Sequence, residues 1–175
     1  MITRRRFITS TAALIAAVSL PFNGFDLPAR KRLKQFGFIS GIIGNELKGD
    51  WKAVLRMAAS FGYTEIETGS YLGESAESYL AFLNDIGLKP VAGGINFTAG
   101  DEELMKSFDL IRKLEMKIAV TYWPWFTGGP FSFDDCRKSV ERLNILGQKC
   151  HENGLSFCWH NHDKEFIPME EGLPF

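Results

Sequence analysis

The amino-acid sequence predicts an α/β protein built on a parallel sheet, of the (β/α)8 barrel type rather than an open doubly wound one. Three observations carry the prediction. Five short apolar runs alternate with four amphipathic stretches in units of about 25–35 residues, the pattern of repeated βα units. The turn after the first run, Gly41-Ile42-Ile43-Gly44-Asn45-Glu46, lacks the G-x-G-x-x-G spacing by which a doubly wound sheet cradles a dinucleotide. Polar and aromatic residues gather where the predicted strands end, and barrels place their sites at those C-terminal ends. Glu65 and Glu67 close the second strand, Asn96 the third, Tyr122 and Trp123 the fourth, and His160 to Glu165 the fifth.

The elements follow in order. Phe36 to Gly44 is an apolar, Gly-punctuated run that reads as a buried strand. Asp50 can cap a helix carrying Trp51, Val54, Leu55, Ala58 and Ala59, which Gly62 stops. Tyr63 to Thr68 is the second strand; Ser75 to Ile86 follows as a helix with Tyr79, Leu80, Leu83 and Ile86 on one face, ended by Gly87. Leu88 to Ile95 is the third strand. Asp101, Glu102 and Glu103 place acids in the first turn of a helix whose apolar stripe is Leu104, Phe108, Ile111 and Leu114. Lys117 to Tyr122 is the fourth strand. A helix opened by Asp134 carries Val140, Leu143, Leu146 and Cys150, Asn153-Gly154 closes it, and Leu155 to His160 is the fifth strand.

Before these units the chain reads as an address. Thr3-Arg4-Arg5-Arg6-Phe7-Ile8 is basic, and Ala12 to Phe22 is apolar apart from Ser19 and Pro21. As a helix those 11 residues rise only about 16 Å, half of a ~30 Å hydrocarbon core, so no stable membrane span is expected. The arginine pair is similar to the twin-arginine export pattern. The expected organisation is a signal peptide over 1–29, a linker over 30–35 carrying Arg30, Lys31, Arg32 and Lys34, and the barrel portion over 36–175, exported to the periplasm.

Composition narrows the partners. The 175 residues are 45% apolar and 13% aromatic, which excludes a disordered chain, and 20 Lys+Arg against 21 Asp+Glu give no basic face for nucleic acid. Cys136, Cys150 and Cys158 show no C-x-x-C spacing, so they are expected to pack as small buried residues.

The fifth strand end carries the densest set of chemical groups. His160-Asn161-His162-Asp163-Lys164-Glu165 brings two imidazoles, an amide and two carboxylates together, and on an extended segment His160 and His162 point the same way, about 7 Å apart. Imidazole and carboxylate suit Zn²⁺, Mn²⁺ or Co²⁺, and neutral His can also move protons.

His160-Asn161-His162-Asp163-x-Glu165-Phe166 resembles the Tyr-His-Asn-His-Asp-x-Glu-Phe segment of the sugar phosphate isomerase/epimerase family, the xylose isomerase-like barrels of the endonuclease IV superfamily. Phe61-Gly62-Tyr63-Thr64-Glu65-Ile66-Glu67 is similar to that family's second strand, and Tyr71-Leu72-Gly73 to the loop after it. The resemblance implies a divalent metal (Mn, Zn, Mg or Co) that chelates neighbouring oxygens of a carbohydrate, with proton transfer beside a carbonyl. Many relatives carry Glu-Asn-His at the fifth strand, and here His160 stands in the Glu position. The implied roles are Glu67, His160 and Glu165 in catalysis, Asn96, Trp123 and Asn161 in substrate binding, and His160 and His162 as metal ligands. Trp123, Trp125 and Phe126 offer a platform for a sugar ring or simply pack a loop. Alternatives within the resemblance are an inactive carbohydrate-binding fragment and a dehydratase, lyase or hydrolase.

Such barrels typically need about 250 residues. Five strands in 175 residues therefore predict an incomplete barrel lacking three βα units, with open sheet edges that would allow self-association.

Overall fold

The computed structural model describes residues 35–124 and 132–168. The signal expected over 1–29, together with Trp125 and Phe126, lies outside the described residues. Strands β1 (Gly37–Ile39), β2 (Glu65–Glu67), β3 (Lys89–Gly94), β4 (Ile118–Thr121) and β5 (Ser156–Trp159) form one parallel sheet in chain order. Helices α1 (Trp51–Ser60), α2 (Ala76–Asp85), α3 (Asp101–Lys113) and α4 (Phe133–Glu152) fill the four connections. A doubly wound sheet reverses its strand order at a switch point, whereas the described strands never do, so they and their four helices follow the order of a (β/α)8 barrel. Among them, β1 and β5 are the edges, and no described helix is long and apolar enough to cross a membrane.

Helix boundaries follow local chemistry. The Asp50 carboxylate accepts from Ala53 N at 3.0 Å and the Ser75 hydroxyl from Ser78 N at 3.1 Å, so each helix begins by satisfying an otherwise unpaired N–H. At α4 the cap is Ser132, which accepts from Asp135 N while the Asp135 carboxylate accepts from Ser132 N, a reciprocal box. Gly62, at φ +94°, follows α1 in the left-handed region that a side chain disfavours, and it turns the chain into β2.

The core lies between the sheet and its helices. Leu104, Phe108, Ile111 and Leu114 of the α3 stripe are fully buried with Leu55, Ile66, Tyr79 and Leu83. Helix α3 sits so close on β3 that a Cβ on Gly93 would fall 2.7 Å from Ile111 Cγ1.

Three expectations are corrected. The first strand is extended only over Gly37–Ile39, and Ser40–Ile43 and Glu46–Lys48 are 3₁₀ turns. Its neighbour β2 offers a ladder of three residues, so beyond Ile39 the backbone closes on itself, as in Gly44 N to Gly41 O at 3.3 Å. On α4 the buried positions are Ser139, Leu146 and Cys150, while Val140 is 46% exposed. Positions 139, 143, 146 and 150 share the inward face, and Val140 lies one residue, about 100°, around the helix. Of the cysteines only Cys150 is buried; its thiol is pushed up to about 11 by that burial, whereas Cys158 is exposed on edge strand β5.

The loop between β3 and α3 is tied to α4. Arg142 Nε donates to Phe97 O at 2.7 Å and Nη2 to Ala99 O at 2.5 Å. Arg142→Ala is expected to cost about 1–3 kcal/mol by leaving both carbonyls without their charged donor, read as a lower midpoint in urea unfolding.

Candidate functional site

A cavity of about 500 Å³ opens where the five strands end, lined by residues 39–42, Glu67, Thr68, Gly69, Gly94, Tyr122, Trp123, His160 and His162. A second, of about 740 Å³, shares Gly94, Tyr122 and Trp123 with it and is lined further by Asn96, Thr98, Glu103 and Ser107. Tyr122 and Trp123 form the ridge between the two.

Glu67 faces the first cavity by strand alternation: Ile66 is buried in the core, so Glu67 points to the other face of β2. Ile66 pairs with Pro90 but Glu67 pairs with Ala92, so the ladder skips Val91 and the extra residue lies on β3. The Tyr122 hydroxyl donates to Glu67 Oε1. The ring sits against Gly94, where a Cβ would lie 3.0 Å from Tyr122 Cε2, so β3 leaves room for the aromatic ring that meets Glu67. Burial, and then the bond to Glu67, push the Tyr122 hydroxyl far above the ordinary tyrosine value of 10.0.

That shift has a sign that can be tested. The native state keeps the Tyr122 proton where the unfolded chain releases it, so its contribution to stability is whole below about pH 10 and is lost as pH rises further. Burial pushes the fully buried Tyr79 the same way, so spectrophotometric titration is expected to show Tyr79 and Tyr122 ionising only as the fold is lost.

The histidines stand just past β5. His160 N donates to Thr121 O at 2.8 Å, extending the ladder by one bond and setting His160 beside Tyr122, with ring centroids 5.4 Å apart. His160 and His162 stack at 4.8 Å, and the other face of His162 stacks on Trp123 at 3.9 Å and 10°. The result is a column of four rings, Tyr122, His160, His162 and Trp123, whose outer member is 55% exposed.

The remaining sequence candidates sit apart. Asn96 lines the larger cavity, donates to Glu103 Oε1 at 3.1 Å and accepts from Thr98 N at 3.0 Å. Asn161 is exposed and lines neither cavity. Glu165 is buried behind His162, whose backbone N–H donates to its Oε2 at 3.0 Å. Sequence reading named Tyr122 as a strand-end aromatic but missed its bond to Glu67, because residues 55 apart meet only once β2, β3 and β4 are in register. It also missed Glu103, a residue of the first turn of α3 that looks like an ordinary helix-dipole acid.

Two imidazoles alone do not make a resident metal site. A catalytic zinc takes three protein ligands and a structural one takes four. Among the described residues no group of three His, Cys, Asp or Glu side chains could hold an ion, so those residues do not by themselves fit the implied metal.

The sheet order is that of a barrel, and the candidate site lies at the C-terminal ends of its parallel strands. No family model and no curated protein matches the chain. Solved structures do. A sugar phosphate isomerase/epimerase from Parabacteroides distasonis is 21% identical with a TM-score of 0.61, over 81% of this chain and 56% of that one. A fusion protein of a xylose isomerase-like TIM barrel and 4-hydroxyphenylpyruvate dioxygenase is 17% identical with a TM-score of 0.52, over 73% of this chain and 22% of that one. The IOLI protein with a zinc atom is 19% identical with a TM-score of 0.53, over 73% and 51%. The fold is that of the xylose isomerase-like TIM barrels, and the chain spans little more than half the length of the first of these structures.

Proposed function

We propose that this chain supplies one wall of a carbohydrate isomerase or epimerase site in which a proton moves next to a carbonyl. The observation that carries the reading is the Glu67 carboxylate held by the Tyr122 hydroxyl on the lining of the strand-end cavity. Glu67 takes the proton from the substrate carbon, and the electron pair of that C–H bond passes to the carbonyl oxygen as an enediolate. Once protonated, Glu67 no longer needs the Tyr122 donor, so that hydroxyl, kept protonated by burial, is free to stabilise the new oxyanion. A proton delivered to the same carbon from the opposite face by a second group gives an epimer; the proton of Glu67 returned to the neighbouring carbon, with the enediol hydroxyl proton passing to the other oxygen, gives an isomer. His160, beside Tyr122, is the second group placed to carry that proton. Trp123 offers its exposed ring to the sugar.

A divalent metal would draw ligands from beyond the described residues, and no step is assigned to it. A second reading, sugar binding without turnover, is favoured by the exposed Trp123 face, which can hold a ring with no proton transfer. The test is incubation of the protein with a panel of sugars and sugar phosphates in D₂O, with and without Mn²⁺, Zn²⁺, Mg²⁺ or Co²⁺, followed by NMR. Deuterium entering the carbon beside the carbonyl supports the isomerase, and binding without exchange supports the second reading. Loss of water from the sugar marks a dehydratase. Twin-arginine export and self-association through the edges of β1 and β5 are further proposals, to be read by fractionation of cells and by size-exclusion chromatography.

A further inference from the structure

We infer that Glu165 is a positioning residue that sets the tautomer of His162, placing the proton on Nδ1 and leaving the Nε2 lone pair to the cavity. Glu165 is only 3% exposed, an unusual place for a carboxylate. It is carried there by the short 3₁₀ turn Lys164–Phe166, and one oxygen, Oε2, is already used by the backbone N–H of His162 at 3.0 Å. Its other oxygen, Oε1, is shut off from solvent without a hydrogen-bond partner, and so is His162 Nδ1. These two orphans face each other at 3.8 Å.

A buried polar atom without a partner is costly, and here one small movement satisfies two of them. Closing the gap by about 1 Å makes a normal N–H···O bond. A carboxylate oxygen can only accept, so the bond exists only if Nδ1 carries the hydrogen. The ring has little freedom to choose otherwise, because His160 and Trp123 clamp its two faces. Nδ1 is buried against Glu165 while His162 lines the strand-end cavity, so Nε2 is the nitrogen that meets a ligand. It meets it as an acceptor for a hydroxyl group.

The proposal rests on the sugar-isomerase reading only for what that lone pair serves, and its test separates the two. The full chain is labelled with ¹⁵N-histidine and its tautomers are read by long-range ¹H–¹⁵N NMR. The chain has three histidines, and single His→Gln variants assign them. The expected wild-type pattern for His162 is a protonated Nδ1 and an unprotonated Nε2; a protonated Nε2 overturns the proposal. Glu165→Gln keeps the volume but has one acceptor oxygen, which the His162 backbone N–H claims, so the amide NH₂ turns to Nδ1 and the proton moves to Nε2. A merely space-filling Glu165 would leave the spectrum of E165Q as in the wild type, and that result also overturns the proposal. Should E165Q fail to fold, the wild-type spectrum alone decides. With a sugar that exchanges deuterium, E165Q is expected to lose roughly 10²-fold in rate at an unchanged melting temperature. A flipped tautomer with an unchanged rate removes His162 from the reaction while leaving the pair itself standing.

Discussion

Glu67→Gln is expected to slow exchange of the substrate's carbon-bound hydrogen by roughly 10²–10⁴-fold, the usual contribution of a positioned base. The substitution keeps size and shape. Its carbonyl oxygen can still accept from the Tyr122 hydroxyl, so the ridge between the cavities stays where it is. What disappears is the ability to take a proton. The loss should therefore fall on kcat with KM little changed, since the contacts that bind the ground state remain. Tyr122→Phe is the companion: it removes the donor to the oxyanion while leaving Glu67 able to act as a base. A rate unchanged in E67Q, measured by NMR in D₂O, would place the base elsewhere in the cavity.

Phe108→Ala is expected to produce the largest loss of stability, about 3–5 kcal/mol, because it deletes a fully buried ring from the centre of α3. The surroundings cannot collapse into the gap easily. Leu104 and Ile111 belong to the same rigid helix, and Ile111 is already pressed against the backbone at Gly93. Set against a typical total of 5–15 kcal/mol, a loss of that size leaves a chain unfolded at modest denaturant concentrations. Urea unfolding followed by circular dichroism measures it. Phe133→Ala, at the exposed first residue of α4, is the control and should shift stability by no more than about 0.5 kcal/mol.

Much of this fold was legible because its signals are local. Asp50, Ser75 and the glycines after the helices mark boundaries through bonds that span three or four residues, and the α3 stripe is a matter of period alone. The extent of β1 was not legible, since the length of a strand depends on how much ladder its neighbour offers, and β2 offers three residues. Val140 was misplaced because the apolar residues of α4 fit two adjacent helical rows, and a buried Ser139 decides between them only in three dimensions. At the site, the clustering of His160 and His162 could be read from the chain. The pairing of Glu67 with Tyr122 and the position of Glu165 behind a ring depend on register and on a turn, neither of which has a sequence period.

The strand order has a consequence for how the molecule is made. Each described strand pairs only with its neighbours in the chain, Gly37 with Glu65, Lys89 with Glu65 and Ser156 with Ile118. A ribosome delivers those partners in the order in which they are used, at about 5–20 residues per second. As β2 emerges, β1 is already waiting; as β3 emerges, β2 is. Among the described strands each newcomer finds its partner already made, so the growing edge moves along the sheet while the outer side of β1 stays open throughout.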